Sequence, residues 1–183
     1  MSLPSPASIE EALAWFDSLP TVAPQELRGR WRGRELRTGH PLEGWLEATG
    51  WYGKEFLDDD HVHPLLFGGG EGGEPFPVRP LPGALAFARG LGPPRSPILR
   101  ALLRALIPLL RTSAGQARLR PVQVRGRVTA AMVYDHLPVE DAFRRVDERT
   151  VLGLMQEKGV SHPYLFLLER EGDQADDTSS RPP

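Results

Sequence analysis

Apolar residues first recur at helical spacing at Ile9, Ala12, Leu13 and Phe16. Ser8-Ile9-Glu10-Glu11 in front of them fits a capping box, and Pro20 closes the helix. Leu27 to Arg37 reads as a strand whose glycines mark places where another backbone or a ring comes close. Thr38 to Gly50 reads as a short helix, with Pro41 near its start and Gly50 as its C-cap. Trp51 to Phe56 and Val62 to Phe67 read as two strands around the acidic turn Asp58-Asp59-Asp60. Gly68 to Pro82, with Gly68-Gly69-Gly70 and Gly72-Gly73 among prolines, reads as a mobile loop. Ser96 caps, and Pro97 starts, a helix to about Arg111 that sets Ile98, Leu99, Leu102, Leu103, Leu106 and Ile107 against Arg100 and Arg104. Pro108 is expected to kink or end it.

The last third is β by pattern. Val128, Ala130, Met132 and Tyr134 share one strand face, and Phe143 to Val146, Thr150 to Glu157 and Tyr164 to Arg170 follow. In Val151 to Met155 both faces are apolar, Leu152 and Leu154 on one and Val151 and Met155 on the other. Such a strand is covered on both sides. The expectation is a mainly β, α+β fold: an antiparallel calycin-like β-barrel with helices outside or capping one end. One domain is expected over residues 1–172, built from segments 9–67, 68–118 and 119–170, with a disordered tail over 173–183.

The chain has 183 residues, of which 40% are hydrophobic, enough for a real core. A net charge of -2, from 22 basic and 24 acidic residues, is not the footprint of a nucleic-acid binder. There is no cysteine, hence no disulfide, thiolate zinc site or thiol nucleophile. The polar, acidic N-terminus does not read as a signal peptide, and a cytoplasmic location, peripheral to the membrane, is the expectation.

Four short words carry a resemblance. Leu27-Arg28-Gly29-Arg30-Trp31-Arg32-Gly33, Thr38-Gly39-His40-Pro41-Leu42, Gly50-Trp51-Tyr52-Gly53-Lys54 and Val62-His63-Pro64-Leu65 resemble the GXWXG family of bacterial proteins. Val128 to Asp135, Leu137-Pro138-Val139 and Val151-Leu152-Gly153-Leu154-Met155 resemble the DUF4334 module that follows it. Gly-x-Trp on a first strand also resembles the lipocalin-like calycins. That resemblance implies that Trp31 plugs the closed end and that Arg170, from the last strand, lies over its ring. No obvious haem-ligating histidine stands near the C-terminus, so no haem or other cofactor is expected.

Candidate chemistry is sparse. Non-catalytic binding of a hydrophobic or amphipathic molecule, with fatty acid or phospholipid as the leading candidate, is the favoured function. Trp31, His40, Lys54, Met132, Tyr134, Leu152, Leu154 and Phe166 are the candidate ligand-binding residues. Lys54 would neutralise a head group, and Met132, Leu152, Leu154 and Phe166 would supply apolar walls. The basic amphipathic helix, through Arg100, Leu103, Arg104 and Ile107, is the candidate contact to an anionic membrane, and Arg95, Arg118, Arg120, Arg125 and Arg127 add positive charge nearby. An enzyme acting on a small lipophilic substrate through Tyr134, Asp135 and His136 is the alternative, and a protein with a fully packed interior is the third reading. His61 and His63, two apart beside the acidic turn, lack an evident third ligand, so no metal is expected.

Overall fold

The computed structural model describes residues 6, 8–68 and 73–172. Eight strands close into a ring: β1 (Gly29–Glu35), β2 (Trp51–Phe56), β3 (Val62–Phe67), β5 (Ala117–Val124), β6 (Arg127–Tyr134), β7 (Val139–Arg145), β8 (Thr150–Glu157) and β9 (Tyr164–Arg170). Around the ring they run β2-β1-β9-β8-β7-β6-β5-β3 and back to β2, every neighbour antiparallel. A two-residue strand, β4 (Phe76–Pro77), hangs on β3. Two seams join the N-terminal strands to the C-terminal ones. The β1–β9 seam is long, from Trp31↔Arg170 to Glu35↔Phe166. The β3–β5 seam has a single register pair, Val62↔Ala117, supported by Gln116 N–H donating to Val62 O at 2.9 Å.

The alternation of side chains gives the ring two apolar faces. Inward point Trp31, Phe56, Met132, Tyr134, Phe143, Val151, Phe166 and Leu168, in one buried cluster. Outward point Ala131, Ala142, Leu152, Leu154, Leu165 and Leu167, packed beneath Ala12 and Phe16 of α1 (Ile9–Ser18). Ser8 caps the helix, its Oγ accepting from Glu11 N–H at 3.2 Å. Leu152 and Leu154 therefore do not wall the interior. They are the floor on which α1 sits, and the interior takes Val151, Gly153 and Met155 from the same strand.

Three helices gather over one end of the ring. Only Trp45–Thr49 (α2) of the expected 38–50 helix forms, ended by Gly50 at φ 80°. The loop before it is tied by the Glu43 carboxylate, which accepts from His40 N–H at 2.9 Å. Residues 69–72 of the expected Gly68–Pro82 loop lie outside the described residues, as does the expected 173–183 tail. Beyond them Val78 bridges to Arg111, and a helix not foreseen from the sequence, α3, runs over Ala84–Leu91. α4 (Pro97–Leu106) begins at the Ser96 cap, and Pro108 converts its end to a 3₁₀ turn over Ile107–Leu110.

A capped apolar cavity with a buried ion pair

The GxWxG box acts as a spacing device. Trp31 is 2% exposed, and its Nε1–H donates to Leu27 O at 2.7 Å. The Arg170 guanidinium lies 4.3 Å from its ring centroid and donates to Arg28 O and Glu26 O. This plugs one end of the ring, so Trp31 does not line a pocket. Two residues on, Gly33 is covered by the Trp51 ring, where any Cβ would collide with it. Trp51 meets Phe166 edge-on at 5.9 Å, and the Phe166 ring lies on Gly153 in the same way. Glycine at 33 and 153 thus lets two large rings stand inside the ring without filling it.

What remains is a cavity of about 340 Å³ at the end opposite the plug. Its strand walls include Trp51, Lys54, Tyr134, Asp141, Met155 and Phe166, and its roof comes from α2, α3, α4 and the 3₁₀ turn through Trp45, Leu85, Ala88, Leu103 and Ile107. The lining is almost wholly apolar, as ligand cavities generally are. The exception is an ion pair. Lys54 Nζ lies 2.8 Å from Asp141 Oδ2, the two side chains being 3% and 0% exposed. Strand alternation puts both there: Lys54 follows Phe56 inward on β2, and Asp141 stands between Val139 and Phe143 on β7.

Lys54 Nζ also donates to Pro64 O at 3.1 Å and stands 4.9 Å from the Phe166 centroid and 5.8 Å from those of Trp51 and Tyr134. The contact with Asp141 is off the axis of a good hydrogen bond, and both Asp141 oxygens are enclosed without a hydrogen-bond partner among the described residues. Burial raises the Asp141 carboxyl above its ordinary value, and the Lys54 charge opposes that rise. Burial, and then the Asp141 charge, pushes the Tyr134 phenol well up, so it is a neutral hydroxyl.

Of the candidate binding residues, the structure brings Lys54, Tyr134 and Phe166 to the cavity. It places Met132 in the packed inner cluster and Leu152 and Leu154 under α1. His40 is buried beside the cavity, edge-on to Tyr164 at 5.3 Å, where its Nδ1 accepts from Leu42 N–H at 3.1 Å, so it shapes the wall behind Tyr164 without lining it. The constellation Tyr134, Asp135 and His136 does not assemble. The chain leaves β6 after Tyr134, so Asp135 and His136 are exposed at the turn, and Asp135 accepts from Arg118 at 2.8 Å. Leu103 and Ile107 face the cavity instead of a membrane, and Arg104 is held by the end of α2, donating to Ala48 O at 3.0 Å and Glu47 O at 3.1 Å. Arg100 stays on the exposed side, bonded to Pro94 O at 2.8 Å. His61 pairs with Asp58 at 3.0 Å in the open while His63 is buried, because β3 starts only at Val62. No group of three or more metal-ligating side chains converges among the described residues.

Trp51 is the site residue that sequence reading missed, and for Asp141, read there only as a member of the turn cluster with Tyr134, it missed the pairing with Lys54. The signal was present: in Val139-Glu140-Asp141-Ala142-Phe143 a carboxylate falls on the apolar parity of the strand.

The GXWXG protein family matches residues 14–72, and the domain of unknown function DUF4334 matches residues 115–170. The chain belongs to the GXWXG/DUF4334 family. A solved structure of a protein from Thermomonospora curvata is 33% identical, with the match covering 89% of this chain and 87% of that one at a TM-score of 0.66. No curated protein matches. In family terms the first segment supplies the plug and Lys54, and the second supplies Asp141, Tyr134 and Phe166. The strand walls of the cavity form where the two meet, and the stretch between them supplies most of the roof.

A pH dependence follows from the histidines. Burial lowers both His40 and His63 below the usual 6.5, so each stays neutral when folded and takes up a proton on unfolding in mild acid. Their contribution is complete above about pH 6.5 and is lost as pH falls below it, by up to about 1.4 kcal/mol per pH unit for each. Urea titrations at stepped pH should show this loss, and His63→Asn should flatten it. A curve flat between pH 7 and pH 5 would refute the assignment.

Proposed function

We propose that this GXWXG/DUF4334 protein binds a small hydrophobic or amphipathic molecule, a single-chain lipid-like compound, in the capped cavity. The observation that carries the reading is an unfilled apolar space of about 340 Å³ with one buried polar pair on its wall. This is at the small end of ligand cavities, which run from about 300 to 1,000 Å³. It favours one acyl chain or a compact lipophile over the two chains of a phospholipid. Lys54 is already compensated by Asp141, so the wall is neutral as a whole. A carboxylate head placed there would meet Asp141 at low dielectric. A fatty acid would therefore enter tail first, its head at the rim beside Arg79, while a neutral hydroxyl or carbonyl group suits the inner wall.

Native mass spectrometry of the purified protein should show added mass from a carried molecule. Met155→Trp, which fills the cavity from β8, should weaken binding of a lipophilic probe at least ~10-fold while far-UV circular dichroism is unchanged. Undiminished binding would remove the site.

The cap supports a membrane contact through a face of α4 other than the expected one, together with α3 and the 3₁₀ turn. Its outer surface exposes Phe87, Leu91, Ile98, Leu102 and Leu109, with Ile98 82% and Leu109 79% exposed. The sequence from Pro75 to Tyr134 contains arginines and no acidic residue. Exposed aliphatics amid arginines suit the interface of an anionic bilayer, although Arg89 on the cap is already paired with Glu157. Vesicles containing phosphatidylglycerol should co-sediment the protein, neutral phosphatidylcholine vesicles should not, and Ile98→Asp should abolish the binding. Equal recovery on both vesicle types would remove the electrostatic part.

A further inference from the structure

We propose that Lys54 condenses reversibly with a lipophilic aldehyde or ketone, holding it as an imine inside the cavity. The inference rests on the cavity being a binding site for a small lipophile, and it names the chemical group that site takes.

Three observations lead to it. First, lysine is nearly absent: of 22 basic residues only Lys54 and Lys158 are lysines, and every other one is arginine. Lys158 is exposed in the turn after β8. Arginine serves wherever the chain needs only a charge or a fork of donors, but a guanidinium cannot give up its proton to become a nucleophile. The cavity is where an amine is retained. Secondly, that amine stands among the Phe166, Trp51 and Tyr134 rings on a side chain only 3% exposed, the setting in which lysine amines act as nucleophiles toward carbonyls. Thirdly, a proton acceptor is in contact with it. Asp141 Oδ2 is 2.8 Å away, and neither carboxylate oxygen is occupied by another donor among the described residues. Burial favours the protonated carboxyl there.

The step balances without an oxidant or reductant. The Lys54 ammonium passes a proton to Asp141, and the freed lone pair adds to the carbonyl carbon to give a carbinolamine. Asp141 returns the proton to the departing hydroxyl, water leaves, and a protonated imine remains. The positive charge is still on Nζ and still beside the Asp141 carboxylate, so the buried pair survives the reaction. The alkyl chain lies toward Leu85, Leu103 and Ile107 in the roof. A purely structural ion pair would not require lysine in preference to arginine, nor leave the carboxylate short of donors.

The test is reductive trapping. The protein is incubated with octanal and sodium cyanoborohydride, and the adduct is located by intact mass and peptide mapping. One adduct is expected, on Lys54, at least ~10-fold faster than on Lys158 or the terminal amine. Excess 1-octanol should suppress it, Lys54→Arg should lose it, and Lys158→Arg should keep it. Because mapping compares two lysines within one wild-type chain, the result does not depend on how a variant folds. Octanol binding by native mass spectrometry, with labelling no faster at Lys54 than at Lys158, would overturn the imine and leave the binding site standing. Absence of both octanol binding and Lys54 labelling would overturn both.

Discussion

Replacing Asp141 with leucine lowers the unfolding free energy by about 3–5 kcal/mol, because it strands a buried ammonium. Lys54 is 3% exposed, and its remaining oxygen partner is Pro64 O. Aromatic faces soften that loss without replacing a counter-ion. The double variant Lys54→Met/Asp141→Leu should recover most of the stability, since apolar groups of similar size suit the surrounding wall. Urea denaturation of the two singles and the double gives the coupling directly. The single Lys54→Met carries a further signature. Asp141 left alone titrates above its ordinary value, so the folded state binds the proton more tightly than the unfolded chain does. Stability is then greatest in acid and falls as pH rises from the ordinary carboxylate value toward the raised one. Asp141→Leu with wild-type stability at neutral pH would show that the pair is not buried as described.

Gly53→Ala is the other severe change. A Cβ at residue 53 would fall on the Trp31 carbonyl oxygen and come 2.9 Å from Gly33 N. Both are backbone atoms of β1, where Arg32 pairs with Gly53, so no rotamer relieves the clash. The expected loss is at least ~3 kcal/mol, of the size that overpacking reaches at its worst. For a chain of this length that is a fall in Tm on the order of 6–12 °C. Gly90→Ala is the control: it lies within α3 with nothing near its would-be Cβ, and should stabilise by about 0.5–1 kcal/mol. Gly33→Ala separates the two roles of the motif. Its Cβ meets only the Trp51 ring, a side chain that can turn into the cavity, so probe binding should suffer more than stability. Equal melting curves for Gly53→Ala and wild type would contradict the close approach of β1 and β2.

Much of this architecture can be read along the chain where one local signal suffices. Trp51–Phe56, Val62–Phe67, Thr150–Glu157 and Tyr164–Arg170 form with the expected bounds, because turn residues and alternation both mark them. Where the deciding partner is remote, the sequence is silent. Leu152 and Val151 are equally apolar, and only the docking of α1 says which of them faces the interior. α3 lies between glycines in a segment whose composition resembles a loop, and Leu85 and Ala88 on its apolar side are satisfied only by the cavity they roof. Lys54 reads from its motif as a cation at a cavity mouth, and only ring closure, which carries β7 across from β2, sets Asp141 against it.

The unequal seams bear on how the two family segments evolved as a unit. β1 to β3 alone would expose two unsatisfied sheet margins, and β5 to β9 alone would do the same. Each fragment is the other's edge protection, so a gene carrying only one of them would make a self-associating product. The single-pair junction at Val62 and Ala117 is then the thinnest join in the assembled wall, and the place where one half would first come away from the other.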